Sequence, residues 1–138
     1  MRKNIVIDTG VLVAYLNRRE QWHDWAKIQL AQIQSPLLTC EAVIVETCFL
    51  LKNCYGAKDL IFALIKSGNL VIIFSLEKEI SQIEFLMKRY ENVPMSLADA
   101  CLVRMSELIL GSCILTLDSD FQIYRKNNDQ VIDLITIV

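Results

Sequence analysis

An α/β sandwich with a mainly parallel central sheet and helices on both faces is the fold class this sequence predicts. Short apolar, largely β-branched runs alternate with longer segments of helical period, which is the pattern of strands joined by crossover helices. Two of those runs, Ile5-Val6-Ile7 and Ile114-Leu115-Thr116-Leu117, end directly in an aspartate. The chain has 138 residues, 54% of them hydrophobic, enough to remove about two-thirds of the unfolded surface on folding. Without a linker, repeat or low-complexity tract, residues 1–138 read as a single domain.

Each element follows in order. Ile5–Ile7 is the first strand, and 11–16, followed by Asn17-Arg18-Arg19, is a short helix with a basic end. Residues 22–33 form a second helix on the stripe Trp22, Trp25 and Ile28, stopped at Ser35-Pro36. Leu37–Thr39 is the second strand. The segment 41–53 is then a helix apolar nearly all round, as expected of a buried one. Gly56 marks a turn before the amphipathic helix Ala57–Lys66, and Gly68 supplies a left-handed cap at its end. Residues 70–74 are the third strand, and 77–90 are helical by the spacing of Ile80, Ile83, Leu86 and Met87. Pro94 separates that helix from another opening at Ser96. Residues 113–117 are a strand leading into the acidic turn Asp118-Ser119-Asp120, and 131–138 are the last. In open parallel sheets the ligand site lies at the carboxyl ends of the strands.

Several function classes are excluded. The apolar runs 11–16 and 108–117 fall short of the ~18 residues that span a bilayer, and Asp8 arrives too early for a secretory leader, so a cytoplasmic protein with no membrane partner is expected. The five cysteines (Cys40, Cys48, Cys54, Cys101 and Cys113) are odd in number and lack a CxxC pair, the usage of reduced core residues. His23 is the sole histidine, which leaves serine or cysteine nucleophiles without a base. A net charge of -2 argues against a strongly basic nucleic-acid arm.

Glu20, Glu77, Glu79, Glu84, Glu91 and Asp129 stand in polar, solvent-facing contexts. Other acids stand in apolar ones. Asp8 ends a strand and could cap the helix after it. Glu46 is flanked at helical spacing by Ala42, Val43, Phe49 and Leu50, where a carboxylate calls for a cation, either a metal or a salt-bridge partner such as Lys52. Asp99 lies in a buried-helix context, and Ser96-Leu97-Ala98-Asp99 also reads as a capping box. Asp118 ends a strand as Asp8 does, and Asp120, two residues on, fits a turn role or a ligand role. Three or four carboxylates gathered without matching cations repel one another, and a hard divalent ion, Mg2+ or Mn2+, resolves this in an all-oxygen site suited to phosphodiester chemistry.

In these residues the chain resembles the PIN-domain ribonucleases, and within them the VapC-type toxins of toxin-antitoxin pairs. The likeness runs along essentially the whole chain: Ile5-Val6-Ile7-Asp8-Thr9, Trp22-His23-Asp24-Trp25-Ala26, Glu46, Leu97-Ala98-Asp99-Ala100, and the stretch from Leu115 to Phe121. The resemblance implies a PIN-like fold and a Mg2+- or Mn2+-dependent endoribonuclease. Its acids carry over to Asp8, Glu46, Asp99 and Asp118, with Asp120 an alternative or additional ligand, and Asp8 and Asp99 the direct metal ligands. RNA is the implied substrate, with Arg104, Arg125 and Lys126 contacting phosphate unless they form a solvated face; Arg18-Arg19 has the same two readings. Trp22 and Trp25 either stack on bases or pack in the core or a dimer contact. A homodimer through the 41–53 and Ala57–Lys66 helices, with Leu60, Ile61 and Leu64 exposed, and a small antitoxin partner are also implied.

Other classes fit less well. Asp8-Thr9-Gly10 is the tripeptide of aspartic proteases, but those are all-β with two such loops. Dehalogenase-like phosphatases need a second acid where Gly10 stands. A non-catalytic PIN-like module that binds RNA or protein is the alternative from outside enzymology.

Overall fold

The computed structural model describes residues 2–137. Its elements run β1 (Ile5–Ile7), α1 (Thr9–Leu16), α2 (His23–Ala31), β2 (Leu37–Thr39), α3 (Glu41–Leu50), α4 (Ala57–Lys66), β3 (Leu70–Ile72), α5 (Ile80–Arg89), α6 (Leu97–Leu108), β4 (Cys113–Leu115), a 3-10 turn (Ser119–Gln122), β5 (Arg125–Lys126), β6 (Gln130–Val131) and β7 (Leu134–Ile135). Five strands form one sheet in the order β3-β2-β1-β4-β7. Every pairing within it is parallel. β5 and β6 form a separate antiparallel hairpin.

Every residue of β1 and β4 is buried. Successive side chains of a strand point to opposite faces, so the middle of the sheet is covered on both sides. α6 packs on β1 and β4, α5 and α3 pack on α6, and α1 packs between α2 and α3. The chain steps outward from β1 through β2 to β3, then returns to place β4 on the other side of β1. That reversal is a topological switch point, the place where an open α/β sheet leaves a crevice at its carboxyl edge.

Several expectations are corrected. α3 ends at Leu50 and is not a buried helix: only Val43 and Thr47 are fully buried, while Val45, Phe49 and Leu50 are exposed. Its all-round apolarity comes from an uncovered apolar face. Ile28 is exposed, and Ala26 is the fully buried residue of α2. In α4, Leu60 is exposed but Ile61 is buried with Leu51 and Ala57 in a small second core. The expected strand 131–138 divides into β6, in the hairpin, and β7, against β4; Val138 lies outside the described residues. The hairpin has no alternating pattern to announce it. Its turn is made by Asn127 and Asn128, both with left-handed backbone (φ 51° and 74°), a conformation asparagine tolerates better than most residues.

No helix among the described residues is long and apolar enough to cross a membrane. All five cysteines are free thiols; Cys40, Cys101 and Cys113 are buried, and Cys48 and Cys54 partly so.

Candidate active site

β1 and β4 lie side by side, and the chain leaves each at the same edge of the sheet. The Asp8 N–H donates to the Leu115 carbonyl at 3.0 Å, carrying the ladder one step past the strand. Asp8 then caps α1. Its Oδ1 accepts from the Thr9 N–H at 2.7 Å, and its Oδ2 accepts from the Thr116 hydroxyl at 2.8 Å. The same hydroxyl accepts from the Asp118 N–H at 3.0 Å. Thr116 is fully buried and joins the two strand ends through one oxygen. Asp118 caps the 3-10 turn, its Oδ1 accepting from the Asp120 N–H at 2.9 Å.

Asp99 comes from α6. The capping box is present: Ser96 Oγ accepts from the Asp99 N–H, and Asp99 Oδ2 accepts from the Ser96 N–H, both at 3.0 Å. The capping reading of Asp99 is borne out, and it does not remove the carboxylate from the neighbourhood of Asp118. Its Oδ2 also faces the Tyr124 hydroxyl at 3.4 Å.

The three aspartates stand within electrostatic reach of one another. Burial pushes the Asp8 carboxyl from its ordinary 3.8 up to about 6; the bonds from Thr116 and Thr9 pull the other way, and the Asp99 and Asp118 charges add to the rise. Asp99 is raised as well, first by burial and further by Asp118. Tyr124 is pushed above the usual phenol range by burial, then by Asp99, Asp120 and Asp118. This is uncompensated negative charge in a half-dry place. Among the described residues, the salt bridges lie elsewhere, between Arg104 and Glu79 and between Arg104 and Glu107. The donor set, hard carboxylate oxygens without a cation, fits Mg2+ or Mn2+. No three His, Cys, Asp or Glu side chains among the described residues are grouped closely enough to hold a metal ion as they stand.

Beside this cluster, Cys40, at the start of α3, shares a hydrogen bond with Cys101 of α6. The Cys101 thiol lowers Cys40, whereas the same bond raises Cys101. Cys40 also feels the Asp8 charge, so α3 begins next to the aspartates. Glu46 is six residues further along, about 9 Å at 1.5 Å per residue. It is exposed, which corrects the expectation of a desolvated carboxylate: its apolar neighbours Phe49 and Leu50 are exposed too.

The expected phosphate contacts are corrected in part. Arg104 donates from Nε to Glu79 at 2.7 Å and from Nη1 to Glu107 at 3.1 Å. Five residues past Asp99, it lies about 140° around the helix axis from it. Glu79 is thus half of an ion pair and not a solvated acid. The Arg125 guanidinium donates to the carbonyls of Gln122, Ile123 and Tyr124 at 2.7, 3.0 and 3.0 Å, closing the 3-10 turn. Lys126 is half-buried in β5. Arg18, past the far end of α1, lines a groove of about 490 Å³ with Tyr15, His23 and Lys27. Trp22 and Trp25 pack against the main core.

Sequence reasoning assigned no role to Thr116 or Tyr124. A threonine two residues before an acid at a strand end is a readable signal, since its hydroxyl can reach both that amide and the neighbouring strand's acid. The spacing of Phe121 and Tyr124 marks a buried pair, but nothing local says which acid the phenol meets.

The family model for the PIN domain matches residues 5–127. No curated protein matches the chain in sequence. Among solved structures, the sarcin–ricin-loop-cleaving toxin VapC20 of Mycobacterium tuberculosis superposes with a TM-score of 0.72 at 22% identity, over 84% of this chain and 91% of that one.

Proposed function

This chain belongs to the PIN-domain family, and on that premise we propose that it is a Mg2+- or Mn2+-dependent endoribonuclease, the toxin of a toxin-antitoxin pair. The observation that carries the reading is the trio Asp8, Asp99 and Asp118, three mutually repelling carboxylates at the switch point of the sheet. The likeness in fold to a VapC toxin supports the choice of RNA as substrate.

Asp8 and Asp99 would hold the ion, with Asp118 completing the ring and Asp120 beside it. Bound there, the ion would supply positive charge to polarise a water and to offset charge developing on the scissile phosphate. The chain does the positioning. Thr116 fixes the Asp8 carboxylate relative to Asp118, and the capping box fixes Asp99. Asp118, less buried than the other two, would orient a water. Glu46, on the solvent side of α3, would approach from the substrate's side.

A protein partner belongs to this reading. Val45, Phe49, Leu50, Tyr55 and Leu60 are exposed along α3, α4 and the turn between them, an apolar surface suited to a second copy or to an antitoxin. A monodisperse monomer at high concentration in sedimentation would rule out the homodimer.

The deciding experiment is incubation of the purified chain with a panel of RNAs and Mg2+ or Mn2+, beside Asp8→Asn and an EDTA control. Cleavage by the wild type alone, abolished by EDTA, is expected. Cleavage that survives either change would overturn the reading.

A further inference from the structure

We propose that Tyr124 is a positioning residue for Asp99, holding one carboxylate oxygen so that the other stays available to a divalent cation. The inference rests on the metal reading above and assigns a residue that this reading does not require. Tyr124 is fully buried and follows the 3-10 turn that Asp118 caps. Its hydroxyl lies 3.4 Å from Asp99 Oδ2 and 3.5 Å from the Pro94 carbonyl, so one proton faces two acceptors. Asp99 Oδ2 also takes the Ser96 N–H. The Ser96 N–H and the Tyr124 hydroxyl thus meet on the same oxygen, Oδ2.

The ring has little freedom to leave. It meets Tyr90 edge-on at 5.1 Å and Phe121 at 5.3 Å, and the Tyr124 N–H donates to the Asp120 carbonyl at 3.2 Å. The next residue is held as well, its N–H donating to the Tyr90 hydroxyl at 2.9 Å. Packing alone would be served by phenylalanine, since the aromatic contacts use the ring. The hydroxyl matters only to its acceptors, and the charged one is a carboxylate of the site. Hydrogen bonds to the non-coordinating oxygen of a ligand fix its rotation and tune its basicity.

Tyr90 is the internal control, a buried tyrosine of the same cluster whose hydroxyl is bonded to backbone and not to an acid. The full-length chain, freed of divalent ions, is titrated with Mn2+ by calorimetry as wild type, Tyr124→Phe and Tyr90→Phe, with thermal unfolding of each. Tyr124→Phe is expected to weaken Mn2+ binding about tenfold, and Tyr90→Phe to change it by less than about twofold. In an Asp99→Asn background, Tyr124→Phe should add nothing, because its effect passes through that carboxylate. Wild-type affinity in Tyr124→Phe, or equal weakening by Tyr90→Phe, overturns the positioning role while leaving the metal reading intact. If Tyr124→Phe is too unstable to titrate alone, a variant carrying it with Asp99→Asn that binds more weakly than Asp99→Asn overturns the role. No Mn2+ binding by the wild type overturns the metal reading and this proposal with it.

Discussion

Two acid-rich regions of this molecule are built on opposite principles. Behind α6, Glu79 and Glu107 close on Arg104 at 2.7 and 3.1 Å, and Glu107 also takes the Asn127 N–H at 2.6 Å. Charge there is matched, and the cluster ties α5, α6 and the hairpin together. At the front edge of the sheet, Asp8, Asp99 and Asp118 lie within reach of one another, supported by neutral hydroxyls and amides. The first arrangement serves cohesion; the second leaves a charge deficit that an added cation would fill. A protein with an arginine to close one cluster and none on the other carries its repulsion at the front edge, where the proposed function places the ion.

The largest effect should come from breaking the front cluster. Asp8→Asn should lower RNA cleavage by about a hundredfold or more, and Asp8→Asn with Asp99→Asn should be scarcely worse than either alone, because groups serving one ion act as a unit. Single-turnover assays at matched metal would check this; independent, multiplying losses would contradict it.

Next comes the pH dependence of the metal-free fold. Asp8 titrates at about 6 in the folded chain against an ordinary 3.8. Between these values the folded chain holds a proton that the unfolded chain has lost, so stability should fall as pH rises through the window and level off above it. The contribution is on the order of 2–3 kcal/mol. Melting curves from pH 4 to 7 should show it as a difference between wild type and Asp8→Asn, and Mn2+ should oppose it at pH 7. Parallel pH profiles of the two proteins would contradict the assignment.

Arg104→Leu should disturb the rear cluster by roughly 1–2 kcal/mol, since it leaves Glu107, whose side chain is 9% exposed, without its cation while Glu79 turns to water. Cleavage per folded molecule should hold, which denaturant melts beside activity would reveal. The smallest stability change, within about 0.5 kcal/mol, is expected for Glu46→Gln, an exposed position. Any loss of turnover in that variant would then report a role in the site and not in the fold.

The five strands of the main sheet were legible because each is a short apolar run, and Asp8 and Asp118 because an acid directly after such a run has few other places to go. Asp8 and Asp99 were each open to a capping reading and a site reading; the capping reading is borne out for both, and capping leaves the carboxylates grouped with Asp118, as the proposed site requires. Glu46 was misjudged in burial, since apolar neighbours on a helix signal burial only if something covers them. Arg104 looked free because its partners Glu79 and Glu107 sit 25 residues before and three after it, and the more distant pairing is set by how α5 crosses α6. Tyr124 escaped notice for the same reason: its meeting with Asp99 exists only in the tertiary fold.

One consequence of the capping geometry concerns how this protein can change over generations. Asp8 and Asp118 each start a helical turn through a side-chain oxygen, a task asparagine performs about as well. Aspartate and asparagine codons differ by one base. On the proposed function, a lineage burdened by this activity has an escape one nucleotide away, with the folded body kept. If the proposed toxin role holds, silent descendants of this gene should be folded, persistent and able to compete with active copies for an antitoxin.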